Sequence, residues 1–267
     1  MSALREACIG IARDAGAAIM EVYAQDFEVE SKSDASPLTA ADMAAHRIIC
    51  AGLAALTPAI PVLSEESATI DWAVRRGWSR YWLVDPLDGT REFVKKNGEF
   101  TVNIALIDGD ASVFGVVYAP ALDYLVHAER DVGAFLRDGT ADIALATQQP
   151  APSPLRVAAS RSHLDARTAA ALEKMGATEK IGMGSSLKFC RIAEGRIDVY
   201  PRFGPTSEWD TAAAQCVLEV AGGAVLTLDG EPLRYNTKES LLNPDFIALG
   251  DVRLPWRGWL DQEAVDG

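Results

Sequence analysis

The sequence predicts an α/β protein of the layered α+β kind, on the strength of three patterns along the chain. Two long amphipathic stretches come first, a series of β-hairpins follows, and strands alternate with helices after residue 155. Hairpins in one part and strand–helix alternation in the other indicate two halves, residues 1–150 and 151–267, packed as one compact unit. At 267 residues the chain is long enough to bury a sizeable core.

Apolar residues recur at helical spacing over residues 4–22 and again over 43–56, which predicts two amphipathic helices. The segment 31–42 between them is rich in Ser, Asp and Pro, so a loop is expected there. "IPVLSEES" is typical of a short strand that ends on two glutamates. A charged helical or turn segment then leads to the apolar strand at 81–84.

Between residues 100 and 139, four stretches rich in β-branched residues are separated by turns such as Asp108-Gly109 and Asp138-Gly139, which predicts antiparallel hairpins. Residues 141–154 hold three prolines and little periodicity, so they are the predicted linker between the halves.

After the linker, strands and helices are predicted in alternation. The strands are "LRVAAS", "GATEKIGMG", "RIDVYPR", "AVLTL" and "DFIALG", and the helices span 165–175, 186–194 and 211–220. Trp256 and Trp259 in the short tail are expected to dock on the surface.

A formal net charge of −13 argues against binding of nucleic acid through a broad basic face. The same charge repels a small phosphate ester, so a phosphate site needs local positive charge from metal ions or clustered Lys and Arg. The four cysteines are expected to be buried, reduced thiols, and the three histidines are too scattered for a zinc site. No apolar stretch approaches the roughly 18 residues of a membrane span, and no signal peptide is recognised. A cytoplasmic protein is expected; peripheral attachment to the inner face of the membrane stays open.

The stretch "YWLVDPLDGTREF" places two carboxylates, Asp85 and Asp88, at the end of a buried strand. Pro86 cannot continue the ladder and Gly89 lets the chain turn sharply, so the two carboxylates should converge. Converging carboxylates repel unless they share a proton or a cation, and Mg²⁺ suits oxygen ligands, including the carbonyl of Leu87 between them. The alternative is an ordinary turn whose aspartates only cap backbone amides, and the spacing alone does not decide between the two.

Further acidic residues lie at the ends of other predicted elements. Glu65 and Glu66 end a strand, and Asp210 stands at the mouth of a helix. Taken singly, Asp210 is most simply an N-cap, and Thr39 with Asp42 a capping-box-like pair. Together these carboxylates form an oxygen-only ligand set without Cys or His, which favours Mg²⁺ or Mn²⁺.

The motif "DPLDGT", with "LSEES" upstream and "WDTAAA" downstream, resembles the inositol monophosphatase superfamily of lithium-sensitive, Mg²⁺-dependent phosphatases. The resemblance extends along nearly the whole chain. The stretches "GSSLKFC" and "YPRFGPTSEWDTAA" are similar to its CysQ-type 3′(2′),5′-bisphosphate nucleotidase branch in particular. The resemblance implies an α-β-α-β-α sandwich of the inositol monophosphatase and fructose-1,6-bisphosphatase type.

The resemblance also implies a set of metal ligands. Glu65 and the carbonyl of Leu87 would bind the first ion, and Asp85 would bridge two ions. Asp88 and Asp210 would hold the second. Two or three Mg²⁺ ions are implied, with Mn²⁺ as a substitute and Li⁺ as an inhibitor.

The implied catalytic residues follow the same motif. The backbone amides of Gly89 and Thr90 would grip the scissile phosphate, and the Thr90 hydroxyl, with Asp42 behind it, would orient the attacking water. Glu66 would lie near the water or a third ion. No Ser-His or Cys-His nucleophile stands out, so direct attack by water is predicted.

A second phosphate on the substrate would need a basic pocket. "GSSLKFC" opens a helix, a geometry suited to anions, and Lys188 adds a charge there; the alternative is a surface lysine on a capped helix. Arg202 ends a strand shortly before the Trp-Asp pair and should face the same cleft. The resemblance implies that the nucleotide is contacted by Ser160, His163, Ser185, Lys188 and Arg202.

The sequence therefore predicts a phosphoric monoester hydrolase that removes the 3′-phosphate of adenosine 3′,5′-bisphosphate, giving AMP and phosphate. Phosphoadenylyl sulfate is a second candidate substrate. The alternatives are an inositol-1-phosphate or fructose-1,6-bisphosphate phosphatase on the same fold. A non-catalytic sensor is disfavoured because the metal set and the water-orienting threonine are intact. The choice between monomer and homodimer is undecided.

Overall fold

The computed structural model describes residues 2–25, 37–159 and 165–260. Within these ranges the longer helices are α1 (Ser2–Tyr23), α2 (Pro37–Leu56), α5 (Ala166–Met175) and α7 (Glu208–Val220). The shorter helices are α3 (Trp72–Arg75), α4 (Thr90–Val94) and α6 (Leu187–Ala193), and 3₁₀ turns span Glu65–Ser67, Pro120–Leu122 and Trp256–Trp259.

The first sheet has seven strands in the order of the chain. It comprises β1 (Val62–Ser64), β2 (Arg80–Asp88), β3 (Thr101–Asp108), β4 (Ala111–Ala119), β5 (Tyr124–Glu129), β6 (Gly133–Asp138) and β7 (Ala141–Ala144). Only the pair β1–β2 is parallel, and the others are antiparallel neighbours. The hairpins predicted between residues 100 and 139 are confirmed.

The second sheet has five strands in the order β11-β12-β10-β8-β9. These strands are β8 (Leu155–Ala159), β9 (Thr178–Gly182), β10 (Val199–Arg202), β11 (Ala224–Thr227) and β12 (Phe246–Leu249). The strands β9, β8 and β10 are parallel, as strand–helix alternation predicts, whereas β12 runs antiparallel to both of its neighbours.

Alternate residues of β2 face opposite layers. Trp82 and Val84 pack with α1 and α2, whereas Tyr81 and Leu83 pack with α6 and α7. The second sheet covers the far side of α6 and α7, and α5 with the last 3₁₀ turn packs on its outer face. The layers therefore follow the order helix, sheet, helix, sheet, helix, and the predicted sandwich is confirmed.

The middle helical layer joins the two sheets. Helix α7 approaches β4 closely because Gly115 has no side chain, and a β-carbon there would collide with the carbonyl oxygen of Ala213. A helix of the predicted second half thus packs directly on the sheet of the first. The boundary near residue 150 stays a prediction.

Three sequence expectations need correction. The linker predicted over 141–154 begins with strand β7, because its first four residues pair with β6. Helix α2 begins at Pro37 inside the predicted loop, since proline suits the first helical position. Trp256 and Trp259 are not surface-docked but buried, at 3% and 8% exposure, in the core between α5 and the second sheet.

Three of the four cysteines are buried, as expected, and Cys50 departs from that expectation. Cys8, Cys190 and Cys216 are buried, Cys50 is half-buried, and all four are free thiols. Within the described part of the chain, no helix has the length and apolar character needed to cross a membrane.

Candidate active site

The end of strand β2 carries a β-bulge between Asp85 and Asp88. In the pairing with β3, Asp85 lies opposite Asn103 and Asp88 opposite Thr101, so β2 has one extra residue. The backbone N–H of Leu87 donates to Oδ1 of Asp85 at 3.0 Å. The bulge takes Leu87 out of the regular register with β3.

Two aspartates of the β2 end and one of the distant helix α7 meet at this bulge. Asp85, Asp88 and Asp210 each place a carboxylate oxygen within 4.8 Å of the others. Asp85 is 1% exposed, and the other two are half-buried. The predicted convergence of Asp85 and Asp88 is therefore seen, and Asp210 joins them.

The carboxylates raise one another's pKa. Burial, followed by the charges of Asp88 and Glu65, raises the pKa of Asp85 well above its usual range. Burial and the charge of Asp210 raise the pKa of Asp88 to about 7, although the Lys188 ammonium opposes the shift. The pKa of Asp210 rises to about 6, chiefly through burial. A cluster so short of positive charge suits hard cations with oxygen ligands.

Two further acidic side chains, Glu65 and Asp42, shift the pKa values of these aspartates but are not part of the group of three. Glu65 is exposed in the first turn after β1, and its charge raises the pKa of both Asp85 and Asp210. Asp42 lies on α2, is 8% exposed, and also raises the pKa of Asp85. Glu66 is exposed in the same turn as Glu65.

The capping interpretations are only partly right. Asp210 is not the N-cap of α7 but its third residue, and its Oδ2 accepts the backbone N–H of the true N-cap, Ser207, at 2.8 Å. Thr39 and Asp42 lie inside α2 rather than at its start, so their capping-box pairing is wrong. Asp88 does accept a backbone N–H, that of Ser186 at 2.7 Å.

Gly89 turns the chain from β2 into α4. Its φ of 91° lies in the left-handed region, which side chains disfavour. A β-carbon there would lie 3.1 Å from the carbonyl oxygen of Glu99 and 3.2 Å from Cβ of Ser185. Glycine at this position therefore brings the start of α4, and Thr90 with it, close to the segment before α6.

A cavity of about 600 Å³ opens beside the aspartate cluster. Its polar wall includes Asp88, Thr90, Ser185, Lys188, Arg202 and Asp210. Its lining also includes the aromatic side chains Phe189, Tyr200, Phe203 and Phe246. The volume lies in the range of ordinary small-molecule sites.

Lys188 is a buried cation in this cavity, so the alternative of a surface lysine is wrong. It is 9% exposed, its Nζ donates to the carbonyl of Ser185 at 2.7 Å, and it lies 5.0 Å from the ring centroid of Tyr200. Its ammonium opposes the rise in the pKa of Asp88, which follows from the proximity of the two side chains. The cavity thus holds a positive charge beside the negative cluster.

Arg202 is half-buried at the end of β10. Its Nη2 donates to the carbonyl of Pro205 at 3.1 Å, and its charge lowers the pKa of Asp210. Its Nε is buried and has no hydrogen-bond partner among the described residues. Ser160 and His163, also predicted to contact the nucleotide, lie outside the described residues.

The sequence reasoning missed a buried polar network behind the aspartates. The hydroxyl of Ser186 donates to Oδ1 of Asn103 at 2.7 Å, and Nδ2 of Asn103 donates to Oγ1 of Thr101 at 3.1 Å. Thr101 and Asn103 lie directly opposite Asp88 and Asp85. The available signal was the pair of polar residues at alternate positions of the apolar strand "FTVNIALID".

A model of the inositol monophosphatase family matches residues 1–251 of this chain. The 3′(2′),5′-bisphosphate nucleotidase CysQ of Escherichia coli K12 is 50% identical over 238 residues, which cover 88% of this chain and 95% of that protein. The protein of the same name from Buchnera aphidicola is 45% identical, covering 89% and 90% of the two chains.

The solved structures agree with these sequence matches. CysQ from Bacteroides thetaiotaomicron, described as a bacterial member of the inositol monophosphatase family, superposes with a TM-score of 0.83 at 43% identity, covering 91% of this chain and 96% of that one. An inositol monophosphatase from Zymomonas mobilis has a TM-score of 0.80 at 22% identity, which is a likeness of fold. By sequence and by fold, this chain belongs to the inositol monophosphatase family.

Proposed function

We propose that this protein is a Mg²⁺-dependent 3′(2′),5′-bisphosphate nucleotidase that converts adenosine 3′,5′-bisphosphate to AMP and phosphate. Phosphoadenylyl sulfate, which carries the same 3′-phosphate, is a second substrate of the proposal. The observation that carries it is the buried cation Lys188, in one cavity with a carboxylate cluster suited to metal ions. Relatives that bear the nucleotidase name are about half identical to the chain over most of its length.

The metal ligands of the proposal are Glu65, Asp85, the Leu87 carbonyl, Asp88 and Asp210. The all-oxygen donor set and the raised pKa values of the aspartates support divalent cations at this place. Bound cations would supply Lewis acidity, which lowers the pKa of water and neutralises charge on a departing oxygen. Mg²⁺ as the preferred ion, Mn²⁺ as its substitute and Li⁺ as an inhibitor belong to the same proposal.

The protein residues position the reactants. Thr90, with Asp42 behind it, orients the attacking water, and Glu66 assists at the same side. The backbone amides of Gly89 and Thr90 hold the scissile phosphate. The water oxygen bonds to phosphorus as the bond to the 3′-oxygen breaks; the water gives up its proton, and the 3′-oxygen leaves as a hydroxyl.

The residues of the cavity would let the protein discriminate between the proposed substrate and a simple monophosphate. Lys188 and Arg202 bind the second phosphate, because both place charged donors in the cavity outside the aspartate cluster. Ser185 lines the same wall, and Ser160 and His163 complete the proposed contacts. The aromatic side chains of the lining offer an apolar surface to the face of a base.

The deciding experiment is a panel of phosphate esters compared by kcat/KM in the presence of Mg²⁺. The proposal predicts that adenosine 3′,5′-bisphosphate is preferred over inositol 1-phosphate and fructose 1,6-bisphosphate. Preference for the inositol ester would replace it by the monophosphatase alternative, and no turnover of any ester would favour a sensor. A cytoplasmic location is part of the proposal and is tested by cell fractionation.

A further inference from the structure

A buried arginine lies away from the substrate cavity, on the short helix α3. Arg75 is 2% exposed, and charged side chains are rarely so buried unless they are paired. Its Nη1 donates to Oδ1 of Asn236 at 2.7 Å and to the carbonyl of Lys238 at 3.3 Å, while Nη2 donates to the carbonyl of Glu239. The guanidinium therefore holds the loop 236–239 at several points.

Asn236 returns these contacts and extends them to α7. Its Nδ2 donates to the carbonyl of Arg75 at 2.6 Å, so the two residues are joined by bonds in both directions. Its backbone N–H donates to Oε2 of Glu208 at 2.9 Å. Its φ is 55°, a left-handed conformation that asparagine tolerates. One residue thus connects α3 to the first turn of α7.

Glu208 completes the link to the aspartate cluster. It is 1% exposed, begins α7, and lies two residues before Asp210. Its own backbone N–H donates to the carbonyl of Leu241 at 2.8 Å, so the same loop holds the turn by a second bond. The orientation of this turn determines where Asp210 points.

The same cluster touches strand β2. Tyr81 is fully buried; burial raises the pKa of its hydroxyl, the charge of Glu208 adds to the rise, and that of Arg75 opposes it. Tyr81 and Asp85 lie four residues apart on one strand and therefore face the same side of the sheet. Arg75 itself follows Glu65 by ten residues. The cluster thus joins the first turn of α7 to the connection between β1 and β2, and it lies close to Tyr81 of β2.

We infer that Arg75, Asn236 and Glu208 are positioning residues that fix the spacing between Glu65 and Asp210, and thereby set the affinity for the metal ions. The inference rests on the proposed metal-dependent function. None of the three lines the substrate cavity, so their effect reaches the site through the backbone of α7 and of the β1–β2 connection. Supporting groups behind metal ligands commonly change metal affinity 10- to 100-fold.

The test compares two substitutions with a matched control. Arg75→Met removes the guanidinium. Asn236→Gly removes only the side-chain bonds, because glycine accepts the left-handed backbone and keeps the N–H that Glu208 accepts. The control is Arg76→Met, since Arg76 is the next residue and is exposed. Mg²⁺ binding to chelator-treated protein is measured by calorimetry, and kcat and KM are measured at saturating Mg²⁺.

We expect the Mg²⁺ dissociation constant to rise about tenfold or more in Arg75→Met and by a smaller factor in Asn236→Gly, with the control unchanged. At saturating Mg²⁺, kcat and KM should return close to wild type, which a general loss of structure would not give. Unchanged metal binding in the folded variants overturns the inference, as does a lower kcat with normal metal affinity. If Arg75→Met does not fold, Asn236→Gly decides. A wild type that binds no Mg²⁺ would contradict the proposed function instead.

Discussion

Replacing Lys188 with methionine should lower kcat/KM for adenosine 3′,5′-bisphosphate far more than for inositol 1-phosphate. Methionine is about as long as the aliphatic stem of lysine but removes the ammonium, whose Nζ lies 5.0 Å from the ring centroid of Tyr200. Only a substrate with a second phosphate loses a direct contact, because the reaction at the aspartate cluster is common to both esters. The variant therefore separates binding of the second phosphate from the reaction itself.

The magnitude follows from the geometry of the ammonium. Lysine has three N–H donors, and one of them goes to the carbonyl of Ser185, so two are left for a phosphate. A hydrogen bond to a charged group contributes about 1.5–3 kcal/mol, which corresponds to a loss of about tenfold to 150-fold in kcat/KM for one bond. Burial of Lys188 at 9% exposure limits screening by salt.

The assay is phosphate release from both esters by wild type, Lys188→Met and the control Lys180→Met, which changes an exposed lysine on β9. Lys188 also lowers the pKa of Asp88, so a loss shared by the two substrates reports that effect. The ratio of the two kcat/KM values isolates the contribution of Lys188 to binding of the second phosphate. An unchanged ratio in Lys188→Met would refute the reasoning.

Three other predictions test the aspartate cluster and its surroundings. Asp88→Asn should nearly abolish turnover because one proposed metal ligand is lost, and the protein should stay folded because one repelling charge is removed. Activity assays and thermal unfolding check this, and a wild-type kcat would contradict the ligand role. Without metal, the melting temperature should fall as pH rises from about 4 through 7. The pKa of Asp88 is raised from 3.8 to about 7 in the folded protein, so between these pH values the folded protein holds a proton that the unfolded chain has released. The stabilisation from this proton is fully present below pH 3.8 and is lost as the pH rises through 7. Mg²⁺ should reverse the fall at pH 8, and Asp88→Asn should reduce it; a fall of equal size in wild type and variant would exclude Asp88 as its source. Millimolar Li⁺ at constant ionic strength should inhibit at saturating substrate, and unchanged activity would place this site apart from the lithium-sensitive pattern.

The convergence of Asp85 and Asp88 was predictable from sequence because its cause is local. Asp85 and Asp88 share one strand end, and the proline and glycine beside them fix the backbone. The β-branched stretches and the Asp-Gly turns likewise predicted the hairpins of the first sheet. The start of α2 was missed because the composition of the segment around Pro37 is that of a loop, although proline at a first helical position is favourable.

The supporting residues could not be predicted, because their contacts are distant in sequence. Arg75 bonds to Asn236, 161 positions away, and nothing near either residue indicates the other. Lys188 was predicted as a nucleotide contact, but its burial could not be inferred locally, because it depends on Tyr200 from a strand that follows later in the chain. Such residues are recognised only when the tertiary structure brings the segments together.

The most direct test of the account is to identify the products formed from adenosine 3′,5′-bisphosphate by chelator-treated protein before and after addition of Mg²⁺. The account predicts no turnover without the ion, and conversion to AMP and inorganic phosphate once it is restored. Formation of adenosine 3′-phosphate, or turnover that is equal with and without a divalent cation, would contradict it.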